Sequence, residues 1–190
     1  LHRYPVVYMN DGHNLFYRQE SAVGVEWSVQ DTLHKLHEMN TIEPVLIVGV
    51  YPNDRMHDYA EAGIEAFTHF MAEGVRNHVD ANYRTLPEAE HRAVVGSSLG
   101  GVAAMETAWR FPHLFGKVAA LSASFGYQDE LAKRVLSDPK PDLQIYLDSG
   151  WPRDNFEVTR DLRARLVRAG FGEGTDLLYF AFPDGRHNER

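Results

Sequence analysis

The chain has 190 residues, with 19 basic against 27 acidic side chains for a net charge of −8, and no cysteine. At this length roughly 70% of the unfolded surface can be buried, enough for a single domain over residues 1–190 with its own core. The absence of cysteine excludes disulfide scaffolds, thiolate metal sites and a Cys nucleophile, and the acidic balance speaks against a nucleic-acid partner, which needs a basic face. The longest apolar runs, such as residues 45–50, are far shorter than a membrane span, so no membrane partner is expected. No basic-then-apolar leader is visible, and a cytoplasmic location is the expectation. An upstream leader stays open, because the first residue is Leu1 rather than Met.

In chain order, residues 4–9 (YPVVYM) form a short run rich in β-branched and aromatic side chains, closed by the turn signal Asn10-Asp11-Gly12. Residues 25–39 follow with a helical stripe of Val25, Trp27, Val29, Leu33 and Leu36. Residues 44–51 (PVLIVGVY) are almost wholly apolar, as a strand buried on both faces requires. A long helical period covers residues 64–83, weakened at Gly74. Short strands are expected at 92–95, 118–121, 143–147 and 176–182, and helices at 101–111, 131–136 and 155–169. This strand–helix alternation with short connections predicts a mostly parallel sheet covered by helices. In such sheets ligands bind beyond the carboxyl ends of the strands. The chemistry is therefore expected in the loops 10–16, 52–59, 96–100, 122–127, 148–155 and 183–188.

One of those loops carries Gly96-Ser97-Ser98-Leu99-Gly100, a G-x-S-x-G between a strand and a helix. A nucleophile in such a turn has strained backbone, and the residues two before and two after it crowd together, so both must be small. The register selects Ser98, since Ser97 would place Val95 and Leu99 at the crowded positions. A plain glycine-rich loop is the bland alternative. A phosphate-binding loop is rejected, because its spacing and its lysine are missing.

A serine hydroxyl needs a base, and the base needs an orienting carboxylate, in the chain order Ser, acid, His for this topology. Only His113 and His187 lie downstream of Ser98. His113 follows the helix that Ser98 opens, roughly 20 Å away at 1.5 Å per residue. His187 follows the last strand and falls on the same rim as Ser98. For the acid, Asp148 at a strand end and Asp154 at a helix start both qualify. Each also has an ordinary structural use, in shaping a turn or capping a helix.

These residues resemble the esterase family of α/β-hydrolases that includes esterase D, enterochelin-type, feruloyl esterases and mycolyltransferases. The resemblance runs over nearly the whole chain, through YPVVYMNDGHNLF at 4–16, Trp27, the 44–51 strand with Arg55 and Tyr59 after it, VVGSSLGG at 94–101, LDSGWPRDNF at 147–156 and DGRHNE at 184–189. It implies a three-layer α/β/α sandwich of the α/β-hydrolase fold. It also implies Ser98 as nucleophile, His187 as base, and Asp154 rather than Asp148 as acid. The oxyanion hole would be the backbone N–H groups of His13 and Leu99. Members of the family extend upstream by antiparallel edge strands and downstream of the histidine by a helix. Against that pattern this chain begins on the third strand and ends just past the base.

The remaining candidates are weighed on the same terms. His34, Glu38 and nearby His37 lack a His-Glu-x-x-His pattern, so no metal is expected. Asp58, Glu61, Glu65 and Glu73 read as a solvated helix face, and Trp27 and Phe67 as core. Trp151 and Phe125, in loops at the rim, are expected to line the substrate cleft. Arg55 is either a substrate contact or half of an Arg55–Asp58 ion pair. The resulting expectation is a serine carboxylester hydrolase acting through an acyl-enzyme on a small-molecule or glycan-linked ester, with no cofactor. An acyltransferase with the same triad, and a non-catalytic binding domain of the same fold, are the alternatives.

Overall fold

A computed structural model describes residues 2–60, 62–127 and 130–188. Glu61, and Glu189 of the closing DGRHNE segment, lie outside the described residues. Six strands make one parallel sheet in the order β2-β1-β3-β4-β5-β6. They are β1 (Val6–Asn10), β2 (Leu46–Val50), β3 (Arg92–Ser97), β4 (Lys117–Leu121), β5 (Gln144–Trp151) and β6 (Leu177–Pro183). The helices are α1 (Val29–Glu38), α2 (Arg55–Asp58), α3 (Ile64–His69), α4 (Arg76–Asn82), α5 (Leu99–Arg110), α6 (Leu131–Ser137) and α7 (Phe156–Arg168). This is the mostly parallel sheet between helix layers expected from the alternation.

The connection out of β1 through α1 steps one way, to β2, and every later crossover steps the other way. Right-handed crossovers then put α1 on one face of the sheet and α2 to α7 on the other. The α5 face is the well-filled one. Val94, Val118, Ala120, Ile145 and Leu147 point into it, and α5 packs on β1, β3 and β4 while α7 packs on β5. All of α5 except Arg110 is buried, as befits a helix of small and apolar side chains held between sheet and outer helix. The face shared with α1 is thinner. Leu178, Phe180 and Phe182 of β6 are each about half exposed, and α1 has no buried residue.

Several expectations need correction. Trp27 precedes α1 instead of riding on it, held by its N–H to the Asn14 carbonyl (2.8 Å). The 44–51 run is not buried on both faces. It gives an outermost strand of the described sheet in which only Val50 is buried. The 64–83 helix is interrupted by a π-helical turn, Phe70–Val75. There the Phe70 ring lies 3.1 Å from where a Cβ of Gly74 would stand. Asp148-Ser149-Gly150 is the continuation of β5 and not a turn, because β6 pairs with it as far as Trp151. Glu65, which faces Arg110, and Glu73, which faces His69, are exposed as expected, whereas Asp58 is partly buried at the end of α2 and receives the Asn53 and Asp54 amides.

Arg92 opens β3 with its side chain only 2% exposed. It donates to Asp80 (2.7 Å), which also receives Thr85 Oγ1 (2.7 Å), and to the Pro87 carbonyl. Removing one partner of a buried pair strands the other charge, which typically costs 3–5 kcal/mol. Asp80→Ala is therefore expected to lose about 3–5 kcal/mol of unfolding free energy. Urea melts should show a lower midpoint at unchanged slope. A loss below about 1 kcal/mol would mean that Pro87 and solvent suffice for Arg92.

Candidate active site

The strand order reverses between β1 and β3, so the crevice for ligands lies beyond their carboxyl ends. Ser98 sits at the mouth of β3 with φ 55° and ψ −125°, the strained turn that the motif requires. A Cβ on Gly96 would lie 2.1 Å from the Gly100 carbonyl oxygen, so the crowding inferred from the sequence is real. The loop after β1 turns back through Asp11, also left-handed at φ 56°, into a short 3-10 turn at Gly12–Asn14. His13 stands in this turn, its ring 5.8 Å from that of Tyr51. The Leu99 N–H belongs to the first turn of α5, whose donors have no partner within the helix.

Asp154 and His187 come together from the ends of β5 and β6. His187 Nδ1 lies 2.5 Å from Asp154 Oδ1, and the Asp154 side chain is only 3% exposed. The other carboxylate oxygen accepts from Ser122 Oγ (2.7 Å) and from the Gly150 N–H (3.1 Å). A second close approach makes this meeting possible. A Cβ on Gly150 would lie 2.3 Å from the Gly185 carbonyl oxygen, so the loop leading to His187 can lie directly on the end of β5.

Asp148 is elsewhere. Its oxygens accept from the Ser122 N–H (2.9 Å) and from Tyr146 Oη (3.0 Å). Burial pushes its carboxyl above the usual carboxylate range, against those two hydrogen bonds, which pull it down. It ties β4 to β5 and does not bond His187.

The Ser98 hydroxyl bonds Ser124 Oγ (3.1 Å), and Ser124 in turn receives Asn155 Nδ2 (3.3 Å). Among the described residues no hydrogen bond joins Ser98 to His187. Such contacts are often open in ligand-free sites and close only on the substrate. Ser98 and Leu99 border a cavity of about 490 Å³ with Met56, Phe125, Tyr127 and Val158. A second cavity of about 530 Å³ lies past Asp154 and His187, walled by Trp27, Ser97 and Phe182.

The other expected site residues divide. Phe125 is buried and lines the first cavity as expected. Trp151 does not reach the cleft. It is the last residue of β5, about half exposed, and lines neither cavity. Arg55 pairs with Asp11 and not with Asp58, through Nε to Oδ1 (2.9 Å) and Nη2 to Oδ2 (3.0 Å). Trp27 is a cavity wall and Phe67 is core. His113 is exposed at the far end of α5. His34 and Glu38 make a single exposed pair at 3.4 Å, and the described residues hold no group of three metal-ligating side chains. Ser122, Ser124 and Asn155 were not singled out in the sequence. Their signal was positional: Ser122 and Ser124 stand in the loop after β4, between the strand that leads to Ser98 and the strand that leads to Asp154.

Comparison with known proteins bears on the family and the fold. The sequence matches the family described as Putative esterase over residues 1–170. It is 25% identical over 194 residues to the uncharacterized protein YbbA of Bacillus subtilis, covering 90% of this chain and 74% of that protein. It is 24% identical over 172 residues to an endo-1,4-beta-xylanase/feruloyl esterase of Xylanibacter ruminicola, covering 89% of this chain but 22% of that protein. Among solved structures, the enterochelin esterase of Shigella flexneri superposes with a TM-score of 0.78 at 21% identity, over 99% of this chain and 48% of that one. A ferulic acid esterase superposes at 0.74 and 17% identity, over 99% and 80%. The chain thus spans about half the length of the enterochelin esterase it resembles. With the family match over most of its length and the fold in agreement, the chain belongs to the putative esterase family and has the α/β-hydrolase fold.

Proposed function

We propose that the chain is a serine carboxylester hydrolase acting through Ser98, His187 and Asp154. The observation that carries this reading is Ser98 at φ 55° and ψ −125° on the same sheet edge as the 2.5 Å Asp154–His187 pair. With the Nδ1–H of His187 donating to Asp154, Nε2 is left as the basic nitrogen. The Ser98 hydroxyl leaves Ser124 and turns to Nε2. As its proton passes to the imidazole, Oγ bonds the ester carbonyl carbon. The N–H groups of Leu99 and His13 hold the negative charge that moves to the carbonyl oxygen. The tetrahedral centre collapses, the carbon–alkoxy bond breaks, and the imidazolium gives its proton to the departing alcohol. Water then adds to the acyl-enzyme with His187 as base. The acid leaves, and the proton returns to Ser98 Oγ. The cavity shared by Ser98 and Phe125 receives one arm of the ester, which is a small-molecule or glycan-linked one.

A fluorophosphonate probe tests the reading directly, since it reacts only with an activated serine. The expected result is a single adduct mapped to Ser98, with concurrent loss of hydrolysis of p-nitrophenyl acetate. An intact chain that neither labels nor hydrolyses a panel of aryl and feruloyl esters would be a binding domain of the same fold. Product diverted from free acid to a new ester by an added alcohol would make it an acyltransferase.

A further inference from the structure

The clearest cluster that this mechanism leaves unused is Asp11, Arg55 and Tyr59, in which Asp11 and Tyr59 are buried and Arg55 is about a third exposed. Asp11 is at the base of the loop that carries His13, and its side chain is only 3% exposed. Its Oδ2 lies 2.8 Å from where a Cβ of Gly100 would stand, so the carboxylate rests on the first turn of α5, beside Leu99. Its backbone N–H donates to the hydroxyl of Tyr59 (3.1 Å). Tyr59 is fully buried, and that burial pushes its phenol well above the ordinary range, so it stays neutral. From the neighbouring residue, Asn10 Nδ2 donates to the Gly100 carbonyl (2.8 Å). Two adjacent side chains therefore clamp the loop after β1 onto the turn that holds the nucleophile. A carboxylate at a helix N-terminus is well placed for the helix. In a water-poor crevice it also opposes any negative charge forming at the neighbouring N–H groups. The bidentate Arg55 fork, packed 5.6 Å over the Tyr59 ring, cancels that charge.

We infer that Arg55 is a positioning residue of the oxyanion site: it neutralises Asp11, so that the carboxylate can fix the His13 loop against α5 without repelling the oxyanion. This rests on the hydrolase reading above, and it assigns Arg55 no contact with substrate. The test is a double-mutant cycle on a neutral ester, p-nitrophenyl acetate, with an aryl hemisuccinate as the anionic control. Arg55→Gln is expected to lower kcat about 10²-fold for both esters with KM within about threefold, the scale of losing one oxyanion donor. Arg55→Lys keeps the charge without the fork and should fall between. Asp11→Asn/Arg55→Gln removes the charge that needed cancelling and should recover about tenfold over Arg55→Gln, a non-additivity expected of touching partners. It also removes the buried unpaired carboxylate, so it is the variant to use should Arg55→Gln fail to fold. The inference is overturned if Arg55→Gln raises KM for the hemisuccinate alone, or if the double variant is no better than the product of the two single ones. A wild type that neither labels with fluorophosphonate nor turns over overturns the hydrolase reading itself, and this inference with it.

Discussion

Ser98→Ala is expected to lower kcat for p-nitrophenyl acetate by roughly 10⁶-fold, the scale seen when the nucleophile of a coupled triad is removed. What remains is rate above water from the oxyanion donors and substrate binding alone. The substitution should leave the fold alone for a specific reason. Position 98 has φ 55° and ψ −125°, and the cost of that conformation comes from the Cβ, which alanine shares with serine. The partner that Ser98 gives up, Ser124 Oγ, still receives Asn155 Nδ2. Thermal melts of the variant and the wild type should therefore nearly coincide. Retained activity in a Ser98→Ala sample of verified sequence would remove Ser98 from the mechanism, and Ser97 or Ser124 would have to be tried in its place.

The second large effect separates two carboxylates that lie on adjoining stretches of chain. Asp154→Asn is expected to cost about 10⁴-fold in kcat with little change in stability, because an amide facing Nδ1 stabilises the wrong tautomer of the base. Asp148→Asn should leave kcat within a few-fold, since Asp148 bonds Ser122 and Tyr146 and not His187. It should instead act on stability. Burial is the largest influence on the Asp148 carboxyl and raises its pKa in the folded state. A raised carboxyl pKa means that the unfolded chain ionises first. The group then costs stability at every pH above its unfolded value and nothing below it. Asp148→Asn is therefore expected to raise the melting temperature at neutral pH, with the gain vanishing as the pH falls through the ordinary carboxyl range. A larger loss of kcat for Asp148→Asn than for Asp154→Asn would reverse the assignment.

The sheet was legible because its central strands are short apolar runs ended by turn residues, and because each crossover helix carries its own period. The strained turn at Ser98 was legible for a local reason: G-x-S-x-G states a steric requirement within five residues. What was not legible depends on neighbours far away in sequence. Asp148-Ser149-Gly150 reads as a turn until β6 pairs with it. Arg55 has an acidic residue three positions on, yet its partner is Asp11, which comes beside it only when β1 and β2 are adjacent. Trp151 shares a segment with Asp154 but closes β5, past the last buried residue of that strand, and stands about half exposed. Ser122 and Ser124 carry no motif. They matter because β4 lies between β3 and β5.

The placement of His187 has a kinetic meaning. Ser98 and His187 follow β3 and β6, which are three strands apart, or about 14 Å at the usual spacing. On the proposed mechanism that distance is spanned by the loop after β6, whose outer edge pairs with no other described strand. Local opening of such an element takes less free energy than global unfolding. Fraying of β6 would carry off His187 while β1, β3 and β4 still hold Ser98 in its turn. Heat or mild denaturant would then silence the proposed hydrolysis before any optical signal of the sheet moved, and the loss would reverse on cooling as fast as one strand can re-dock.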